Sequence, residues 1–187
     1  MIRMAEKKDT KELCELIWIV LKDMELPILK ELPEKQLKRL MQEAMLDEDY
    51  RYSYRRGIVC IRNNQIAGVS YGYKGELEPF IDQPLTKIMG ELYLENSLLF
   101  TDEETQSGEW YLDILVTEPT FRRQGVAVEL LSALPDFAEE QNEPIIGLNC
   151  DEENGPAKQL YEKMGYQKIG ERVISGHRYH YMQYTLK

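Results

Sequence analysis

Arg122, Arg123, Gln124 and Gly125 stand between an apolar run rich in β-branched and aromatic residues and a stretch with helical periodicity. Tyr111 to Val116 favours a strand. Pro119 cannot donate to a sheet ladder, so the strand ends at the turn-like Thr117 to Thr120. Beyond the turn, Val126, Leu130, Leu131 and Leu134 recur at the spacing of one helix face. The start of such a helix exposes unpaired N–H groups and roughly half a positive charge, to which the two arginines add. Gly125 lets the backbone come close to a ligand there. On a chain with 33 acidic and 23 basic side chains, this cationic pocket is read as a site for a pyrophosphate.

A second segment follows about thirty residues later: Asn154, Gly155, Pro156, Ala157, Lys158, Gln159, Leu160, Tyr161, Glu162, Lys163, Met164, Gly165, Tyr166. Arg122 to Ala127 resembles the Q/R-x-x-G-x-G/A signature of the GNAT superfamily of N-acetyltransferases. The later segment resembles that family's N-x-x-A-x-x-L-Y-x-x-x-G-F/Y pattern. Two signatures in the right order are far more specific than either alone, and the resemblance is clear over roughly Ile58 to Lys187.

The resemblance implies a co-substrate, acetyl-coenzyme A, and assigns residues to it. Arg122, Arg123, Gln124, Gly125, Val126 and Ala127 would hold the diphosphate. Main-chain groups of Ile114, Leu115 and Val116 would hold the pantetheine arm and the acetyl carbonyl. Asn154 would bond to the pantetheine arm or order a water, and Tyr161 would be the general acid beside the sulfur. The base is less determined. Relatives often carry a carboxylate or histidine on the signature strand, at positions matching Trp110 or Leu112, and both are apolar here. Glu76, Glu78, Asp113 and Glu118 are the remaining candidates, with a water relay as the other choice. Asp113 points away from Leu112 in a regular strand. His177 and His180, in or near the terminal hairpin, are read as surface residues.

The expected activity is transfer of an acetyl group to a primary amine of a small molecule or peptide, by direct attack within a ternary complex. The rival readings are a non-catalytic acyl-coenzyme A binding module and a generic phosphate-binding α/β domain that recruits a protein.

The elements that would position these residues can be followed along the chain. Asp9 or Thr10 begins a helix through about Lys22, with Leu13, Leu16, Ile17, Val20 and Leu21 on one face. After a break at Pro27, a second helix runs from about Glu34 to Leu46. Tyr50 to Arg56 interleaves tyrosines with arginines and is read as packing at the sheet edge. Gly57 to Ile61 and Gln65 to Tyr73 form a hairpin around Asn63 and Asn64. The segment at about 79–108 is read as an insertion over the acceptor cleft or a dimer contact, with Leu85, Ile88, Met89, Leu92 and Tyr93 at helical spacing. Pro135 is expected to reshape the signature helix. A strand at Ile145 to Cys150, a helix opened by Pro156, and strands at Tyr166 to Val173 and Tyr179 to Leu186 complete the chain.

The fold class expected is α/β, a GNAT-type mixed, mostly antiparallel sheet flanked by helices, in a single domain of 187 residues. A net charge of −10 disfavours nucleic acid and anionic membranes as partners. No apolar run approaches the roughly 18 residues of a membrane span, and the N-terminus lacks an apolar leader, so a cytoplasmic location is expected. Cys14, Cys60 and Cys150 lack metal-ligand spacing and are read as small buried residues, so no metal is expected. A homodimer is compatible with the sequence.

Overall fold

A computed structural model describes residues 1–92, 94 and 100–187, and its centre is a seven-stranded sheet in the order β1-β2-β3-β4-β5-β7-β6. In chain order, the edge strand β1 (Ile2–Met4) precedes α1 (Thr10–Asp23), the short α2 (Ile28–Glu31) and α3 (Glu34–Ala44). The hairpin β2 (Gly57–Arg62) and β3 (Gln65–Lys74) follows, then α4 (Gln83–Gly90), β4 (Trp110–Thr117) and α5 (Val126–Glu140). The remainder is β5 (Ile145–Asp151), α6 (Gly155–Lys163), β6 (Gln167–Ile174) and β7 (His177–Thr185). Every neighbouring pair is antiparallel except β4 and β5.

The local chemistry explains most of these boundaries. Asn63 and Asn64 both take positive φ, 49° and 60°, the backbone that a two-residue hairpin loop of right-handed twist requires. Pro156 lies in the first turn of α6, where its missing N–H costs nothing, and Gly165, at φ 95°, terminates it. Helix α5 continues through Pro135, so the ring removes one backbone bond without ending the helix.

The sheet separates two cores. On one face, Leu13, Ile17 and Leu21 of α1 and Leu37 and Met41 of α3 pack on Val69, Tyr71, Ile114 and Val116. On the other, Leu130, Leu131 and Leu134 of α5 pack on Ile58, Ala67, Leu112 and Leu148. Each of these large aliphatic side chains contributes about 1.5–3 kcal/mol by leaving water, which is what fixes the helices against the strands that carry the site.

Several expectations are corrected. Tyr50 and Tyr52 are fully buried and pack on the first core, with Tyr52 edge-on to Tyr71, instead of sitting at the sheet edge. Between them Arg51 is buried as well, at 1% exposure. His180, read as a surface residue, is only 8% exposed, whereas all three cysteines are buried as expected. Strand β1 was not foreseen; its three residues bond to β2 alone. Of the helical residues expected around α4, Leu85 and Met89 are buried, Leu92 is exposed beyond the helix, and Tyr93 lies outside the described residues.

Candidate active site

Strands β4 and β5 are in register only over Trp110–Ile146, Tyr111–Gly147 and Leu112–Leu148. Beyond Leu112 the two diverge, so main-chain groups from Asp113 to Thr117 have no strand partner on the β5 side. A bulge falls at the same point. Tyr71 faces Ile114 and Gly72 faces Leu112, which leaves Asp113 as the extra residue on β4. The bulge puts both Asp113 and Ile114 on the α1 side of the sheet, while Leu112 and Leu115 face α5 and α6. Trp110 belongs to the α5 core, and its ring lies so close to Gly72 that a Cβ there would collide with it.

The wedge between the strands opens into a cavity of about 890 Å³. One end is lined by Arg122, Arg123, Gly125 and Val126, and the floor by Ile114, Leu115 and Val116. Asn154, Leu160 and Tyr161 form the α6 wall, and Val20, Asp23, Glu104, Asp113 and Asn149 lie toward the α1 face. The cavity therefore brings together most residues that the two sequence signatures nominate.

The turn before α5 is shaped to receive an anion. Gly125 has φ 82°, a left-handed backbone that favours glycine, and a Cβ built on it would meet nothing within 4 Å. No side chain caps α5, and its first backbone bond runs from Glu129 to Gly125, so Val126, Ala127 and Val128 present N–H groups without an intrahelical partner. Arg122 and Arg123 are exposed beside them. Gln124 turns elsewhere and donates to the Thr120 carbonyl at 2.9 Å. A chain of N–H groups, a helix dipole and two guanidiniums fit a diphosphate.

Asn154 has a structural duty: its Oδ1 accepts from the Ala157 N–H at 3.2 Å and caps α6. Its amide NH₂ and the second lone pair of Oδ1 are left for a ligand. Tyr161 stacks edge-on with Tyr166, and burial raises its phenol well above the ordinary value, so it stays protonated. Cys150 lines the same wall, and burial pushes its thiol up to about 11, which leaves it un-ionised at neutral pH.

The four base candidates separate cleanly. Glu76 pairs with Lys74 at 3.0 Å and does not line the cavity. Glu118 caps the turn after β4 by accepting from the Thr120 N–H at 2.8 Å. Glu78 accepts from the Glu104 N–H at 2.7 Å and so lies behind the cavity wall. Asp113 alone lines the cavity, with a side chain 4% exposed.

The group that holds Asp113 was not assigned from the sequence. Arg51 donates from Nε and Nη2 to Asp82 at 3.1 and 2.9 Å, and from Nη1 to Asp113 at 3.3 Å and Glu104 at 3.5 Å. Its guanidinium lies 4.0 Å from the Phe100 ring centre and 5.3 Å from that of Tyr73. Glu104 accepts from the Tyr111 hydroxyl at 3.1 Å, and that hydroxyl accepts from Asn149 Nδ2 at 2.9 Å. Two buried carboxylates, Glu104 and Asp113, and the partly exposed Asp82 thus share one cation. Burial drives the Asp113 carboxyl up to about 7, Arg51 opposes the rise, and Glu104 and Asp82 add to it. Glu104 is raised by burial for the same reason, with Arg51 again opposing. The interleaving of tyrosines with arginines over Tyr50 to Arg56 was the hint, and it does not distinguish a buried arginine from a solvated one.

Among the described residues no group of three or more histidine, cysteine or acidic side chains is placed to hold a metal ion. Nor is any described helix long and apolar enough to cross a membrane.

The sequence matches the Acetyltransferase (GNAT) family over residues 21–166. The chain belongs to this family. GNAT proteins are acyltransferases, and the mixed, mostly antiparallel sheet flanked by helices matches their fold. A solved acetyltransferase is 39% identical with TM-score 0.91, and the alignment covers 100% of both chains. An N-acetyltransferase from Staphylococcus aureus Mu50 is 28% identical with TM-score 0.88, over 98% of this chain and 100% of that one. The Salmonella typhimurium protein yncA, solved with its cofactor acetyl-CoA, shares the fold at 14% identity and TM-score 0.63, over 100% and 94% of the two chains. A comparison with curated protein sequences gives no match.

Proposed function

We propose that this GNAT protein transfers the acetyl group of acetyl-coenzyme A to a primary amine, with Asp113 as the base and Tyr161 beside the departing sulfur. The observation that carries this reading is the position of Asp113: a bulge residue where β4 and β5 part, lining the cavity, with a carboxyl pushed up to about 7. A base poised near neutral pH combines a large ionised fraction with useful proton affinity. Taking a proton from an amine of reference pKa about 10.4 is then uphill by about 3.4 units, or about 4.6 kcal/mol. That is a modest part of an acyl-transfer barrier.

Acetyl-coenzyme A fits the other half of the cavity. The open turn at Gly125 accommodates its diphosphate, and the unpaired main chain of Ile114 to Val116 supplies N–H groups toward the thioester carbonyl. Tyr161, with its proton held tightly by burial, hydrogen-bonds the leaving sulfur. A phenol above 10 facing a thiol near 8.5 gives up its proton at a cost of at least about 2 kcal/mol, so stabilisation by the hydrogen bond is its larger effect. The un-ionised Cys150 supports direct attack by the amine over an acyl-cysteine route.

The test is release of free thiol from acetyl-coenzyme A across a panel of primary amines. Asp113→Asn is expected to lower kcat by about 10²–10⁴ while acetyl-coenzyme A affinity, measured by calorimetry, is unchanged. Tyr161→Phe is expected to lose less. Full turnover by Asp113→Asn would remove the assignment of the base, and failure of the wild type to bind acetyl-coenzyme A would remove the acetyltransferase reading in favour of another acyl donor.

A further inference from the structure

The α1 side of the cavity has an electrostatic character that narrows the acceptor. Its described lining includes Asp23, Glu104 and Asp113, and the described cations that line the cavity, Arg122 and Arg123, belong to the turn before α5. Arg51 lies behind this wall with its guanidinium committed to Asp82, Glu104 and Asp113. Even with Asp113 protonated, two carboxylates face that single cation. Positions 93–99, which precede Glu104, contain no lysine, arginine or histidine.

An independent observation points the same way. Two buried polar atoms of the lining residues have no hydrogen-bond partner among the described residues, Asp113 Oδ2 and Asn149 Oδ1. Both are acceptors. Asn149 has its NH₂ engaged by the Glu104 carbonyl at 2.7 Å and the Tyr111 hydroxyl at 2.9 Å, so its orientation is fixed with the oxygen left over. Asp113 meets Arg51 through Oδ1; its Oδ2 has no hydrogen-bond partner among the described residues, and the nearby Tyr52 hydroxyl, itself unpartnered, favours the ionised carboxyl. Buried acceptors without donors are costly, and an ammonium group supplies three N–H donors together with the missing positive charge.

From this we infer that the acceptor enters as an ammonium ion matched to Asp113, Asn149 and Glu104, and that it carries no carboxylate or phosphate close to the reacting nitrogen. The class is an aliphatic amine, a lysine-like side chain or an amidated α-amine, and α-amino acids that present their α-nitrogen are excluded. A free arginine or lysine beside the amine site is the strongest way to hold an α-carboxylate, and the described residues on this side provide none. The inference rests on the reading of the chain as an N-acetyltransferase.

Binding separates the two. Calorimetry on the protein saturated with coenzyme A would compare leucinamide with leucine, and isobutylamine with valine. The expected result is affinity for the carboxylate-free member at least about thirtyfold higher, the order set by one added anion roughly 8 Å from one buried carboxylate at an effective dielectric near 20. Glu104→Gln, which keeps the shape and removes one charge, is expected to narrow that ratio. Equal affinity within each pair, preference for the amino acid, or no binding of any of the four overturns the inference. Preferential binding without thiol release from acetyl-coenzyme A leaves it standing while the acetyl-transfer reading falls.

Discussion

Replacing Arg51 with methionine tests the electrostatic account of the site directly. The guanidinium, 3.3 Å from Asp113 and 2% exposed, is the cation that opposes the rise of that carboxyl. With the charges about 4 Å apart and an effective dielectric near 20, the attraction is worth about 4 kcal/mol, or roughly three pKa units. Rearrangement of Asp82 and Glu104 after the loss will absorb part of it, so a rise of about one to three units from the starting value near 7 is expected. The assay is kcat/KM for thiol release between pH 5.5 and 9.5, at about a tenth of KM for the amine. The limb on the acid side, where the base must be ionised, should move toward higher pH, with activity recovering above about pH 9. A shift of two units would cut the ionised fraction at pH 7.5 from about three quarters to about one in thirty. Stability should fall too, by about 3–5 kcal/mol, because three carboxylates lose a buried partner; for a chain of this length that is roughly 6–20 °C in Tm. Arg51→Lys keeps a charge but cannot bridge three carboxylates, so its limb should move less, and it serves if the methionine variant does not fold. A folded variant whose acid limb stays in place, or moves to lower pH, refutes the coupling.

Two further outcomes follow from the same geometry. Gly125→Val forces a β-branched side chain to φ 82°, at a cost of about 1–2 kcal/mol, and puts its methyl groups where the diphosphate would lie; acetyl-coenzyme A affinity by calorimetry should fall at least about tenfold, and unchanged affinity would place the ligand elsewhere. Asp113 also links stability to pH. Its carboxyl near 7 lies above the unfolded value of about 3.9, so the native state holds the extra proton between these limits, and stability is full below the lower one and lost as pH rises through the upper. Asp113→Asn cannot ionise, so its Tm relative to wild type should rise from pH 5 to pH 8, and a flat difference would contradict the burial of this charge.

The parts of the molecule legible in the sequence are those governed by local chemistry. The Asn63–Asn64 hairpin, the turn at Gly125 and the capped start of α6 all depend on backbone preferences of a few residues, and each lies where the pattern put it. What was not legible depends on partners distant in the chain. Arg51 looks solvated beside Arg55 and Arg56, yet its partners are 31, 53 and 62 residues away. His180 is hidden by the packing of β7 between β5 and β6. The bulge that sets Asp113 apart from its strand is a register shift against β3, which no periodicity within Trp110 to Thr117 reveals. Asn154, a motif residue expected at the ligand, lines the cavity and also caps the helix it begins, a duty that the motif alone does not reveal.

The single guanidinium at residue 51 clips two positions of the 79–108 segment, Asp82 and Glu104, to the strand that carries Asp113. On the proposed reading, substrate choice and proton affinity share one fastener. Any drift in that segment that repositions Asp82 or Glu104 to suit a new acceptor will also retune the strength of the base, so relatives that exchange one amine for another should differ in their working pH range as well.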